Sequence, residues 1–240
     1  YADRISELHR LTFLTNSDAH SPMVNKLARE FTQLEVPEVT FEGLEKAIMR
    51  KEGYGPTLNV GFYPQEGKYN ESACIKCFTH YTMQESVSLN WKCSKCRGQI
   101  KKGVKDRVNE LADLPEPLHP DHRPPYVNLA PLSEVIMLAL GHASINTKGV
   151  QTAWNSLVER SGSEVKVLLD VPVENMDFVD RKIVNAIMAF RNEEIIIHPG
   201  GGGQYGWLEL PADREAHLTS TRPENEHAGK KDKQKSLFDF

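Results

Sequence analysis

Four cysteines fall as Cys74-x2-Cys77-x15-Cys93-x2-Cys96. Each C-x-x-C pair offers two thiolates to one ion, and a hairpin between the pairs would close a tetrahedral four-sulfur site, the chemistry of structural zinc. A redox dithiol or inert buried thiols are the competing explanation. His80 lies inside the hairpin and could replace a thiolate, but four cysteines already fill the site. Another candidate is the turn Ser17-Asp18-Ala19-His20. Extended i, i+2 spacing points Asp18 and His20 to one side, where a carboxylate oxygen and an imidazole nitrogen suit a hydrolytic metal such as Zn2+ or Mn2+. The same residues also suit an Asx turn carrying a surface histidine.

Lys92, Lys95, Arg97, Lys101, Lys102, Lys105 and Arg107 crowd around the second cysteine pair, with Asp106 as the single acid among them and Trp91 adjacent. Such a cluster suits phosphate contacts, although a solvated helix face has the same composition. Beside a zinc ribbon, the reading is nucleic acid. Further on, Gly200-Gly201-Gly202-Gly203 follows His198-Pro199. Backbone without Cβ atoms can approach a phosphate or a base closely, but the run lacks the spacing and the Lys-Ser/Thr of a P-loop. A tight turn between two strands competes, though the run is longer than a turn requires.

The elements that must position these groups follow from periodicity and turn chemistry. Arg10–Thr15 reads as a short buried strand running into the polar turn at Asn16–Pro22. If that strand belongs to an α/β barrel, the turn sits at the barrel's C-terminal face. Thr40 caps a helix with Phe41, Leu44 and Ile48 on one face, and Gly53 stops it. A strand is expected at Thr57–Phe62, and a helix at Lys101–Ala112 with Val104, Val108 and Leu111 on one side. Six prolines between Leu114 and Pro131 mark a stiff extended connector. Beyond it, helices are expected at Leu132–Leu140, Gly149–Arg160 and Asp177–Phe190, and strands at Glu164–Leu169, Glu194–His198 and Tyr205–Leu210. After Pro211 the chain is polar and charged, too poor in apolar residues to order itself, until Ser236-Leu237-Phe238-Asp239-Phe240.

A net charge of −4 over 240 residues argues against a histone-like binder, while leaving room for a basic stripe on an acidic body. No signal peptide and no apolar run of membrane-spanning length is present, so no membrane is expected and the expected location is the cytoplasm. Paired cysteines in a reducing cytosol mean metal before disulfide. The chain opens at Tyr1 without a methionine. The expectation is that its true N-terminus lies further upstream.

Several segments together resemble the endonuclease Q family of PHP-domain DNA-repair endonucleases, in its C-terminal portion. Thr15-Asn16-Ser17-Asp18-Ala19-His20-Ser21-Pro22, followed by Lys26–Phe31, is similar to the last metal motif of the family's PHP domain. The four cysteines and Lys102–Asp113 resemble its zinc-binding segment, and His122–Tyr126 and Pro199–Gly206 also fit. The order of these motifs is more specific than any one of them.

The resemblance implies an α/β chain with the remnant of a PHP-type barrel, a four-cysteine zinc module and a small α/β domain. The corresponding spans are residues 1–62, 63–113, a Pro-rich connector at 114–131, 132–211, and a disordered tail at 212–240. It further implies hydrolysis of DNA on the 5′ side of deaminated bases, uracil or hypoxanthine, or at abasic sites. Asp18 and His20 become ligands of a catalytic divalent metal, Zn2+, Mn2+ or Mg2+, that activates water. The zinc module and C-terminal unit would hold DNA through the basic cluster, Arg123 and Gly200–Gly203, and help present a flipped base. The N-terminal histidine and aspartate motifs of a PHP domain are not among these residues, so the chain carries part of the metal site and alone is expected to be inactive. Two other readings stand beside this one: a PHP phosphatase acting on a small phosphoester, and a non-enzymatic zinc-ribbon DNA adaptor. Finally, Gln234-Lys235-Ser236-Leu237-Phe238 resembles the Q-x-S-L-F peptide by which bacterial proteins engage the sliding clamp, with Gln234, Leu237 and Phe238 as the contact residues. The alternative is that Leu237, Phe238 and Phe240 fold back onto their own domain.

Overall fold

Strand pairing brings three distant stretches into one sheet. In the computed structural model, which describes residues 1–23, 25–26 and 29–211, β1 (Phe31–Glu35), β2 (Gly55–Gly61) and β5 (Tyr126–Asn128) lie in the order β1-β2-β5. β1 runs antiparallel to β2, and β5 runs parallel to it. The β1–β2 register shifts between Gln33 and Leu34, where Leu34 faces Pro56. Proline brings no N–H to the ladder, and an irregularity there spares a partner from being left unmatched.

Between these two strands, Thr40 caps α1 (Phe41–Ile48) by accepting a hydrogen bond from the Gly43 N–H. The helix buries Gly43 and Ala47, while Phe41 and Leu44 face outward. Their spacing is helical as expected, but the face they mark is exposed. The expected strand at Arg10–Thr15 is corrected: residues 6–10 form a 3-10 turn and the rest runs beside the sheet without joining it. Side chains take the place of a ladder there. The Thr15 N–H donates to the Thr32 hydroxyl at 2.7 Å, and the Asn59 amide donates to the Phe13 carbonyl at 3.3 Å.

The C-terminal unit is built from α4 (Leu132–Leu140), α5 (Lys148–Ser161), α6 (Glu164–Leu169) and α7 (Arg181–Arg191), followed by the antiparallel pair β6 (Ile196–His198) and β7 (Trp207–Glu209). Ile183, Ile187 and Phe190 of α7 point inward as their spacing predicts. They share one core with Leu132, Val135, Ile136, Leu157, Met176 and Leu208, and that core also takes in Val60 of β2 and Tyr63. Glu164–Leu169 is a helix, not the expected strand. Ser163 caps it by accepting from the Lys166 N–H, and the Arg191 guanidinium donates to the carbonyls of Val167, Leu168 and Val171 at its other end. A six-residue apolar run fits either period, and these two caps decide it. The connector is not wholly irregular either, because it supplies β5. Gln234, Leu237 and Phe238 lie outside the described residues.

Candidate metal centre and basic face

β3 (Ala73–Cys74) and β4 (Ile100–Lys101) pair antiparallel and close a loop that holds the short helix α2 (Met83–Ser88). The expected helix at Lys101–Ala112 therefore starts later, as α3 (Val104–Leu111). Each C-x-x-C pair folds in the same way. The Phe78 N–H donates to the Cys74 carbonyl and the Arg97 N–H to the Cys93 carbonyl, both at 3.0 Å. Phe78 and Arg97 both take left-handed backbone angles, φ 55° and 61°. The Cys74 N–H donates to Thr79 O and the Cys93 N–H to Gly98 O, so the two knuckles share one hydrogen-bond pattern.

This arrangement brings all four sulfurs within 4.8 Å of one another. Cys74 Sγ lies 3.5 Å from Cys96 Sγ, and Cys77 Sγ lies 3.5 Å from Cys93 Sγ. A regular tetrahedron with Zn–S bonds of ~2.3 Å has edges of about 3.8 Å, so the sulfurs fit a metal ion. Their surroundings suit anionic sulfur. The Lys76 N–H donates to Cys74 Sγ at 3.4 Å, and the Tyr81 hydroxyl lies 3.1 Å from Cys93 Sγ. Cys74 and Cys93 are buried with Ile100, flanked by Tyr81, Leu89 and Trp91. Gly98 fits this crowd because a Cβ there would lie 2.9 Å from Cys74 Sγ and 3.2 Å from Cys96 Sγ.

Asp18 and His20 do come together, with His20 Nε2 3.4 Å from Asp18 Oδ2, and both side chains stand in solvent. Among the described residues no third histidine, cysteine or carboxylate joins them. The pair is a half-open arrangement that two or more further ligands would have to complete.

The basic residues divide into two sets. Lys102 and Arg107 are paired with Glu110, and Lys105 with Glu71. Lys92, Lys95, Arg97 and Lys101 are exposed and form no ion pair among the described residues. Arg123 lies elsewhere: it is buried, bound to the Asp3 carboxylate and the Leu8 carbonyl, and stacked on Phe13. That placement makes it a tie between the first turn of the chain and the connector. The glycine run also packs closely within the fold. Gly200, Gly201 and Gly202 are buried against the metal module, where Cβ atoms would strike Gly67 O, Glu71 O and Cys74 O. Of the four glycines only Gly203 is exposed.

A family model described as the MJ0043 C-terminal domain matches residues 131–194. The uncharacterized protein MJ0043 of Methanocaldococcus jannaschii is 43% identical over 214 residues, covering 87% of this chain and 27% of that protein. The uncharacterized protein YqxK of Bacillus subtilis is 32% identical over 210 residues, covering 87% of this chain and 49% of that one. The crystal structure of the lesion-specific endonuclease PfuEndoQ from Pyrococcus furiosus superposes with a TM-score of 0.81 at 48% identity, over 92% of this chain and 54% of that one. The chain belongs to the endonuclease Q family. A structure of Endonuclease Q with a 27-mer duplex substrate carrying an abasic lesion at the active site matches equally, with a TM-score of 0.80, 48% identity and the same coverage. The chain thus spans about half or less of the proteins it matches.

The segments that suggested endonuclease Q occupy definite places in the fold. Asn16–Pro22 forms the exposed turn ahead of β1, the cysteines make the candidate metal centre, and Gly103 begins α3 against the backbone of Asn70–Ser72. Pro199–Gly206 seats that module on the C-terminal unit. Sequence reasoning passed over Tyr81, Gly98, Lys68, Tyr69 and Tyr205. For Gly98 a signal was present: it stands two residues after Cys96, where Thr79 stands after Cys77, and two matched knuckles require matched turns.

Proposed function

We propose that this chain is part of a metal-dependent DNA-repair endonuclease that hydrolyses the phosphodiester 5′ of an abasic site or of a deaminated base, uracil or hypoxanthine. The observation that carries this reading is the likeness to a lesion-specific endonuclease at 48% identity over 92% of the chain. The abasic duplex bound by the second neighbour supports DNA over a small phosphoester as substrate. Asp18 and His20 would hold part of a catalytic divalent metal, Zn2+, Mn2+ or Mg2+, which when bound lowers the pKa of a coordinated water to yield the nucleophile. The chain's own contribution is to set these two groups side by side at the edge of a PHP-type barrel remnant.

Cys74, Cys77, Cys93 and Cys96 would hold structural zinc, whose closed tetrahedral shell leaves no position for chemistry. Lys92, Lys95, Arg97 and Lys101, together with Lys102, Lys105 and Arg107, would meet phosphates. Four free thiols grouped for a metal suit a cytoplasmic setting, and no helix among the described residues is long and apolar enough to cross a membrane. A sliding clamp would bind Gln234, Leu237 and Phe238, which a titration comparing the intact chain with one ending at Lys233 tests. The test of the main reading uses the whole protein on labelled duplexes carrying uracil, hypoxanthine or an abasic site. Cleavage on the 5′ side of the lesion, lost with a chelator and restored by a divalent metal, is the expected result; cleavage of undamaged duplex at the same rate would contradict it. Taken alone, the chain's two-residue metal pair favours a second reading, a zinc-ribbon DNA-binding module without activity of its own.

A further inference from the structure

Tyr205 is 67% exposed, yet the loop that carries it is firmly held. The Gly203 N–H donates to Lys68 O and the Gly206 N–H to Glu66 O, both at 2.9 Å, and Gly201 and Gln204 exchange backbone hydrogen bonds at 3.0 Å. A large ring on a pinned loop is presented to solvent at a fixed place. Two lysines border it. Lys68 Nζ lies 5.7 Å from the Tyr205 ring centre and 5.5 Å from that of Tyr69, and Lys101 Nζ lies 3.9 Å from the Tyr69 ring. Neither lysine has a carboxylate partner among the described residues, whereas Lys102 and Lys105, which follow Lys101 in the chain, are both paired with glutamates. The strip therefore offers two uncompensated cations and two aromatic rings from three separate parts of the chain.

Cations alone would suit any polyanion. The rings narrow the choice, because bases inside a duplex stack on each other and show a protein only their edges. An unpaired base has a free face, and stacking on an exposed aromatic beside a phosphate-binding lysine is how single strands are held. We propose that Lys68, Tyr69, Lys101 and Tyr205 form a docking strip for an unpaired stretch of DNA, with a base stacked on Tyr205 and phosphates at Lys68 and Lys101. The proposal rests on the reading of the protein as DNA-directed. It adds that the metal module grips the strand where pairing is broken, as it must be when a nucleotide leaves the helix.

Fluorescence anisotropy with a labelled single-stranded oligodeoxynucleotide, and with the same strand in a duplex, tests this on the intact 240-residue chain. Tyr205→Ala should weaken single-strand binding roughly fivefold or more while leaving the salt dependence unchanged, and Tyr205→Phe should keep the affinity. Lys68→Gln and Lys101→Gln should each lower the slope of log K against log salt by about 0.7. Unfolding midpoints equal to the parent's show that the variants fold. If the parent binds DNA and Tyr205→Ala binds the single strand as tightly, the strip is overturned and the DNA-directed reading survives. If the parent binds neither form, both are overturned.

Discussion

The carbonyl oxygen of Cys74 fills the space that a side chain at Gly202 would need: a Cβ there would stand 2.5 Å from it. Gly202 also has φ +64°, a left-handed conformation that costs other residues roughly 1–2 kcal/mol. The glycine run is thus a seat for one knuckle of the metal centre. Gly202→Ala should destabilise the protein by about 2 kcal/mol or more and speed metal release to a chromophoric chelator. Gly141→Ala supplies the control. Gly141 has φ +64° with open space around it, so it should lose about 1 kcal/mol without any change in metal release.

The metal centre itself should hold about one zinc per chain by elemental analysis. Cys93→Ser should lose the ion and unfold the module locally, because metal binding supplies much of the folding energy of such units. Gly98→Ala should do the same more mildly, since its new methyl would crowd Cys74 Sγ and Cys96 Sγ. A folded, reduced parent without metal would contradict the assignment.

Arg123 ties the first turn of the chain to the proline-rich connector through Asp3, which also accepts from His119 at 2.7 Å. Its side chain is 4% exposed, so Arg123→Ala empties a buried site and leaves the half-buried Asp3 carboxylate with His119 alone beside it. A loss of about 1–3 kcal/mol is expected, along with earlier proteolysis within residues 2–10. The variant that remains folded should bind DNA like the parent. Reduced affinity there would place Arg123 among the DNA contacts.

Burial raises the Glu66 carboxyl to about 7, with the charge of Glu134 acting in the same direction. Burial raises Glu134 and Glu164 as well. A carboxyl whose folded pKa lies above its ordinary value of 4.5 binds its proton more tightly in the folded state. Its stabilising contribution is complete below about 4.5 and is lost as pH rises through about 7. Glu110, held low by Lys102 and Arg107, loses stability only as pH falls below the ordinary carboxylate range, outside this window. Glu66→Gln should therefore flatten the decline of the unfolding midpoint between mildly acidic and neutral pH. A decline as steep as the parent's would show that Glu66 ionises without penalty.

The cysteine spacing was legible because it encodes a local geometry, two knuckles on one ion, that needs no knowledge of the rest of the fold. The long periodic helices α5 and α7 were legible for the same reason. Glu164–Leu169 was not, because its helix depends on Arg191, far along the chain, covering its last carbonyls. The glycine run showed that side chains were forbidden but not what forbids them, and the answer is the backbone of Cys74. The basic cluster likewise counted seven cations without showing that three face glutamates. Asp18 and His20 were legible as a pair, and they remain a pair.

The central claim is that these two residues serve phosphodiester hydrolysis at a DNA lesion in the whole protein. The direct measurement is single-turnover cleavage of an end-labelled duplex with one abasic site, by the whole protein and by its His20→Ala variant, alongside the affinity of each for that duplex. The account predicts a nick 5′ of the lesion for the parent, at least a hundredfold slower cleavage for the variant (about the smallest loss expected when a group that places the nucleophile is removed), and DNA affinity largely retained. Near-normal cleavage by His20→Ala, or no cleavage by folded, metal-loaded parent, would contradict it.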